Sequence, residues 1–375
     1  MRVLELLSSP AWTGPAEPMA SVAAQLRARG HHVELAVDSR RPGDLRDRLR
    51  ALGFAVRGDL ALTTRGFPPA LLGDARRLRD IAGDFDVVHA HFSHDHAAAL
   101  LALRCRRERP RVVRTLHSAR SLRDRPLQGA AHRRTDGLVA VCEAHARLLA
   151  SRFGIPEGRV LATRGAVDCL RFTAEGPDLR AELGLEADRP VAGIVARIKP
   201  DRRHGELVDA FRAVAGRLPD ARLVVVGRGE GLGEVRARVS RHGLDRRVVF
   251  AGYRTGPELA AAYRTLDVKV LLAEGNDGTC RALLEAMACG RPAVAYRFGA
   301  PAEAIVHGET GLLVEEGDVG GLAAALFELL SSPARARSLG AAARERMRFL
   351  YTEDARGAAV EGFLLKLLDM PPAVL

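Results

Sequence analysis

The sequence predicts two α/β domains, each built on a parallel, doubly wound sheet, and three observations predict it. Short apolar runs of strand length alternate with amphipathic stretches of helical period along the whole chain. The chain has 375 residues, 47% of them hydrophobic, enough to bury a large core and long enough to favour two domains over one. A polar connection at 172–190 separates one set of strand–helix units from a second.

Taken in order, residues 3–7 form a first strand, and a loop over 8–18 carries Gly14 and several prolines before an amphipathic helix at 19–29 closes on Gly30. A strand at 32–37 follows, then an Arg-rich helix at 45–52 and another helix at 70–81. The run DVVHAH at 86–91 is the next strand, with a helix over 94–104 behind it. Strands at 111–116, ending in His117-Ser118, and at 137–141 complete the first set, and 160–162 leads into RGAVD at 164–168. The second set opens with a strand at 191–195 and continues as helix 205–217, strand 221–226, helix 232–242, strand 248–251 and helix 256–264. Helices at 319–330, 333–348 and 353–368 end the chain.

The stretch VKVLLAEGNDGTCRALLEAMACGRPAVAY, residues 268–296, reads as strand, turn-rich loop, helix and strand again. Loops at the carboxyl ends of such strands are where open α/β sheets bind ligands. The amides of Gly278, Thr279 and Cys280 precede any acceptor within the helix, so with the helix dipole they form an anion site. Asp277 stands at the loop tip, and Glu285 lies about two turns inside the helix, so the two carboxylates can meet opposite ends of one ligand. The residues alone equally allow Asp277 to cap the helix and Glu285 to pair with Arg281.

Composition narrows the partners. The net charge is +11, and among 57 basic residues only Lys199, Lys269 and Lys366 are lysine. No zinc-finger spacing, RNP-like aromatic motif or basic–aromatic interleaving accompanies this charge, so nucleic acid is not the expected partner. An anionic membrane surface or a phosphate-bearing substrate fits it, as does simple Arg bias from a GC-rich genome. Arg40, Arg41, Arg46, Arg48 and Arg50, then Arg104, Arg106, Arg107, Arg109 and Arg111, put a basic surface on the first domain. Cys105, Cys142, Cys169, Cys280 and Cys289 have no metal or disulfide spacing and read as reduced thiols of a cytosolic protein. The start MRVLELLSSPAWTG is too short for a signal peptide, and no run of apolar residues is long enough to span a membrane. The expected location is cytoplasmic, with peripheral contact to the inner face of the plasma membrane.

The run DGTCRALLEAMACGRP resembles the E-x7-E signature of glycosyltransferase family 4, whose members are retaining enzymes of the GT-B fold that use nucleotide-sugar donors. The family usually has Glu at the first acidic position, where this chain has Asp277. The resemblance covers nearly the whole chain and is strongest over 191–314. It implies two Rossmann-like doubly wound domains facing a cleft: an acceptor-side domain at 1–172, a nucleotide-sugar domain at 173–348, and a C-terminal helix, 349–375, crossing back to the first. It further implies that VARIKPDRR is similar to the family's G-R-L-x-P-E-K-G loop, with Arg197 and Arg202 on the donor diphosphate and Arg203 in place of a glycine. Gly227 and Gly229 correspond to backbone contacts to the donor; a dinucleotide fingerprint fails there because Leu232 stands at its last glycine position. Glu285 would bind ribose and Asp277 the sugar hydroxyls, without any of these acids being a nucleophile. His117 matches a T-x-H position near the transferred sugar, and Gly14 with Glu17 matches the Gly-rich loop on the acceptor side.

His89, His91, His94 and His96 suggest a metal, yet only Asp95 offers a carboxylate nearby in sequence, and family catalysis resembles metal-independent chemistry. No metal and no cofactor is expected. The implied function is a hexosyltransferase acting in cell-envelope polysaccharide or lipopolysaccharide biosynthesis on a glycan or lipid-linked acceptor. A nucleotide-sugar epimerase of GT-B type and a non-catalytic sugar-nucleotide binding protein are the alternatives.

Overall fold

A computed structural model describes residues 1–63, 68–104, 106, 108–123, 126–273 and 277–373. The chain divides into two compact units, Met1–Arg164 with Glu353–Leu375, and Gly165–Thr352. The sequence reading puts these divisions at 172/173 and 348/349.

The first unit is a parallel sheet of seven strands: β1 (Arg2–Leu7), β2 (His32–Val37), β3 (Ala55–Arg57), β4 (Val87–Ala90), β5 (Arg111–Leu116), β6 (Gly137–Ala140) and β7 (Val160–Ala162), in the order β3-β2-β1-β4-β5-β6-β7. The second has six: β8 (Val191–Val195), β9 (Arg222–Val226), β10 (Val248–Gly252), β11 (Val268–Leu271), β12 (Ala293–Tyr296) and β13 (Gly311–Val314), in the order β10-β9-β8-β11-β12-β13. Pairing is parallel throughout. Apart from the edges, β8 and β9 thus stand to β11 as β1 and β2 stand to β4. Helices cover both faces, so the central strands are buried along almost their whole length and consist of apolar runs. Burying these runs is the main source of stability, about 25 cal/mol per Å² of apolar surface. Charged residues interrupt the buried runs of three strands: Glu5 in β1 and Lys269 in β11, both 0% exposed, and Arg114 in β5, 3% exposed.

The helix Glu353–Asp369 belongs to the first unit. It lays Val360, Phe363, Leu364 and Leu367 into the core formed by Met19, Val22 and Leu26 of the helix Ala16–Ala28. Arg29 binds Asp354 at 2.6 Å and Glu361 at 3.2 Å, pinning its outer side. Two arginines expected on the basic surface are drawn into the same docking. Arg109 forms a buried pair with Asp136 at 2.6 Å and donates to the Ala373 carbonyl, while Arg111 donates to the carbonyls of Leu368 and Met370. Their charge is committed to holding the C-terminal segment, because three or more buried carbonyl and carboxylate oxygens need donors there.

The strands Ala55–Arg57, Val160–Ala162 and Gly311–Val314 and the helices Pro126–Arg133, Glu143–Phe153 and Gly299–Ala304 lie where the sequence reading assigns no element. The strands are three or four residues long and the last helix six, too short to show a period.

Candidate active site

In the first unit the site is built at the carboxyl ends of β1, β4 and β5. Residues Glu5 and His89 face each other across the β1–β4 register. His89 Nδ1 lies 3.0 Å from Glu5 Oε2, and His91 Nε2 lies 2.8 Å from the same oxygen. On its far side His89 Nε2 meets the Thr115 hydroxyl at 2.8 Å, and His91 Nδ1 meets His117 Nε2 at 2.9 Å. His117 is half-buried at the end of β5. Burial alone would raise the Glu5 carboxyl, but the charge of His89 and hydrogen bonds from both imidazoles outweigh it and bring the group down to about 2. His91 is pushed down to about 3, first by burial, so it stays neutral at physiological pH.

The expectation that only Asp95 offers a carboxylate to His89 and His91 is therefore overturned. Asp95 accepts from the amides of Ser8 and Phe92, each at 2.9 Å, tying the loop after β1 to the start of the helix Ser93–Leu103. Burial raises Asp95 to about 6 against these bonds. The residue that joins the histidines is Glu5, whose ligand atom and theirs lie within 4.8 Å of one another. The other two histidines are separate: His94 bonds Asp74 at 2.9 Å, and His96 bonds Thr135 at 2.7 Å and Arg114 at 3.0 Å. Glu17 sits in the first turn of the helix Ala16–Ala28, and Gly14 in the exposed turn before it.

In the second unit the site forms at the ends of β8, β9 and β11. The loop after β8 carries Arg197, which is exposed, then a 3₁₀ turn at Pro200–Arg202. This loop is locked to the turn after β9 by backbone bonds, Ala196 N–H to Val226 O and Ile198 N–H to Arg228 O, both 3.0 Å. Glycine is required for that approach: a Cβ on Gly227 would stand 2.0 Å from the Ala196 carbonyl, and one on Gly229 would stand 2.1 Å from that of Ile198. Gly227 and Gly229 thus position the Arg197 loop. Arg202 is partly exposed, 3.9 Å from Asp201. Arg203 occupies the left-handed region at φ 56° and is held between Glu206 and Glu316 with Tyr296 and Phe298 beneath it, which commits its guanidinium to these partners. The left-handed backbone explains why glycine suits this position.

The helix Asp277–Ala288 begins where the sequence predicts an anion site, with Gly278, Thr279 and Cys280 in its first turn. The loop 274–276 before it lies outside the described residues, and Asp277 opens the helix. Glu285 is buried, and Tyr263 donates to its Oε2 at 2.6 Å. Tyr263 comes from the preceding helix, Gly256–Thr265, and nothing in the local sequence marks it. Lys269, also missed, donates from Nζ to the carbonyls of Val270 at 2.9 Å and Val195 at 3.5 Å; burial pushes it down to about 7, with the charge of Glu285 opposing. At the end of β10 the exposed ring of Tyr253 carries the Arg228 guanidinium 4.4 Å from its centroid. An exposed aromatic directly after a strand and Gly252 was the available signal.

Comparison with known proteins identifies the family. Residues 16–170 match the family described as Glycosyltransferase Family 4, and residues 176–346 match Glycosyl transferases group 1. The chain is 31% identical over 305 residues to a GDP-mannose-dependent alpha-(1-6)-phosphatidylinositol monomannoside mannosyltransferase of Mycolicibacterium smegmatis, covering 77% of this chain and 79% of that one. It is 33% identical over 298 residues to a D-inositol 3-phosphate glycosyltransferase of Stackebrandtia nassauensis, covering 73% and 67%. The crystal structure of Anabaena Alr3699/HepE in complex with UDP superposes with a TM-score of 0.79 at 19% identity, over 97% of this chain and 100% of that one. Two parallel-sheet domains, both family matches and these relatives together place the chain in glycosyltransferase family 4, as a hexosyltransferase of the GT-B fold.

Proposed function

We propose that the protein is a retaining glycosyltransferase that moves a hexose from a nucleoside-diphosphate donor to a hydroxyl of a lipid-linked or phosphorylated polyol acceptor. The observation that carries the reading is the Arg197 loop, an exposed cation at a strand end held in place by the glycine turn after β9. A diphosphate leaving group gains negative charge as the glycosidic bond breaks, so fixed cations at Arg197 and Arg202 stabilise the transition state more than the ground state. The first turn of the helix Asp277–Ala288 adds amide donors for the same anion. In this reading Glu285, oriented by Tyr263, binds the ribose, and Tyr253 with Arg228 offers a face for the base. Asp277 takes sugar hydroxyls, with His117 and the Gly14 and Glu17 turn on the acceptor side. Cations supplied by arginine make a metal unnecessary.

The acceptor class follows from the two relatives named above, which by name act on a phosphatidylinositol mannoside and on D-inositol 3-phosphate. An inositol-phosphate head group fits the net charge of +11 and favours an envelope glycolipid over a lipopolysaccharide core. Attachment to an anionic inner leaflet belongs to the same reading; no helix among the described residues is long and apolar enough to cross a membrane.

The test is thermal shift against UDP-, GDP-, ADP- and dTDP-sugars, with and without EDTA, followed by transfer to inositol phosphate and phosphatidylinositol with the product anomer read by NMR. One nucleotide is expected to shift the wild type without regard to EDTA, and Arg197→Ala is expected to slow transfer about 100-fold. A product of inverted configuration, or full activity in Arg197→Ala, would overturn the reading.

A further inference from the structure

The second unit carries a cavity of about 330 Å³ at the end of its sheet opposite the Arg197 loop. Pro190, Asp267 and Pro292 line it, and each directly precedes a strand, β8, β11 and β12 in turn. Because these strands run parallel, the cavity lies at their amino ends, and the loop carrying Arg197 leaves β8 about 16 Å away along the strand. The helix Asp277–Ala288 likewise runs about 18 Å from Gly278 at its start to this end, where Gly290 and Arg291 join the lining.

Arg180, Arg189, Arg291 and Arg337 stand in this lining against Asp188 and Asp267. Some of these charges are already committed. Arg180 donates to Asp267 and to the carbonyls of Ala187 and Arg189, each at 2.9 Å, and Asp267 also accepts from the Val191 amide at 2.8 Å. Arg189 pairs with Glu186 and Asp220. Arg291 differs: its side chain makes no hydrogen bond or ion pair among the described residues, and its Nε is buried without a partner. Burial lowers its pKa, with the charge of Asp267 opposing. Its position is nevertheless fixed. Gly290 ends the preceding helix in the left-handed region at φ 71°, and a Cβ on Gly340 would stand 2.1 Å from the Gly290 carbonyl, so the helix Pro333–Leu350 packs closely on this turn. Arg337 lies one turn before Gly340 on the same face of that helix, exposed and without a partner among the described residues. Pro333 and Ala336, at the start of the helix, line the cavity too, and Ser332 supplies no side-chain cap.

We propose that this cavity binds a soluble phosphate monoester, with its phosphate on Arg291 and Arg337 and its carbon skeleton against Leu329, Leu330 and Pro292. A half-buried guanidinium without an acceptor is unfavourable, and an anion in the cavity supplies what the protein does not. Two guanidiniums match the nearly double charge of a phosphate monoester and offer it paired donors. The exposed Asp188 carboxylate can accept from a hydroxyl of the skeleton and disfavours a more highly charged ligand. The volume is at the small end for a ligand pocket, which suits a small phosphorylated polyol.

The test is calorimetric titration of the full chain with inorganic phosphate and with glycerol 3-phosphate, at ionic strength held constant with chloride. The chain carries Arg197→Ala and Arg202→Ala, so that the donor-side cations cannot supply the binding. One phosphate per chain is expected, with glycerol 3-phosphate bound at least as tightly. Arg291→Met and Arg337→Gln, each added to that chain, are expected to weaken both ligands about 10-fold. Arg337 is exposed, so its variant is expected to fold and to decide the matter even where Arg291→Met does not. No binding in the chain lacking Arg197 and Arg202, or an affinity unchanged in Arg337→Gln or Arg291→Met, would overturn the proposal. So would binding to vesicles containing phosphatidic acid without binding to either soluble phosphate, which would make the ligand a lipid head group. The titration needs no turnover, so its outcome is separate from that of the transfer assay.

Discussion

The strand pair β1–β4 of the first unit and the pair β8–β11 of the second hold the same places in their sheets, yet their facing residues differ in kind. In one, Glu5 faces His89; in the other, Gly193 faces Lys269. The acid of the first pair is surrounded by donors, and each ring nitrogen of His89 and His91 finds a partner. The lysine of the second has two carbonyls and a distant carboxylate, and its glycine partner has no room for more, since a Cβ there would meet Leu266 at 2.3 Å. A buried charge in a parallel sheet is tolerable when satisfied and costly when it is not. The first sheet therefore surrounds its buried charge with donors, whereas the second carries a lysine lowered to about 7 by burial beside the Arg197 loop.

The contrast is sharpest under removal of each charge. Glu5→Leu leaves two imidazoles without an acceptor and is expected to cost the first unit about 4 kcal/mol, seen by calorimetry as a large fall of one transition. Survival of that transition at its original temperature would mean the histidines find other partners. Lys269→Met should act with the opposite sign, removing an expensive buried cation and stabilising the second unit by about 2 kcal/mol. A loss of stability would show that the lysine is better held than its two carbonyl contacts suggest.

Titration separates the units more gently. His91 and Glu5 have folded values near 3 and 2, below their ordinary ones, and His132 is pushed down to about 4 by burial and by Arg114, so the unfolded chain binds more protons across that range. Stability of the first unit is expected to fall as pH drops from about 6.5 toward 4. Asp95, raised to about 6, opposes this as a single group. The second unit has His204, pushed down to about 4 by burial and by Lys269, as its own acid-sensitive histidine. Lys269 adds a rise of stability above pH 7, because a lysine lowered to about 7 no longer has to bury its charge. That rise should be visible between pH 7 and 9, before the buried Cys289 thiol, pushed up to about 12, acts against it. Calorimetry of wild type and Lys269→Met across this window checks it: an equal rise in both would assign the effect elsewhere.

The smallest effect concerns Arg203 at φ 56°. Replacing it with glycine relieves the backbone but gives up half-exposed ion pairs, so Arg203→Gly is expected to change stability by less than about 1 kcal/mol. Arg203→Val, a β-branched residue in the left-handed region, should cost about 2 kcal/mol. Equal denaturation midpoints for the two variants would show that the loop adjusts.

Much of this molecule is legible in residue order alone. Apolar runs alternating with amphipathic helices specify parallel sheets because burial on both faces leaves no other pattern, and a strand, a tight turn and a helix start place Arg197 and Gly278 at strand ends. The glycines at 227 and 229 are legible as a pattern, but what demands them, the crossing of the loop after β8, belongs to the fold. What the tertiary structure alone decided is which charges meet. Glu5 reaches His89 and His91 only because β1 and β4 are neighbours, with two other strands and three helices intervening in the chain. Tyr263 reaches Glu285 from another helix, and Arg109 and Arg111 leave the expected basic surface to bind a segment from the far end of the chain. Hydrogen bonds and ion pairs act over about 3 Å, and in a crossover topology that distance has no fixed relation to separation along the sequence.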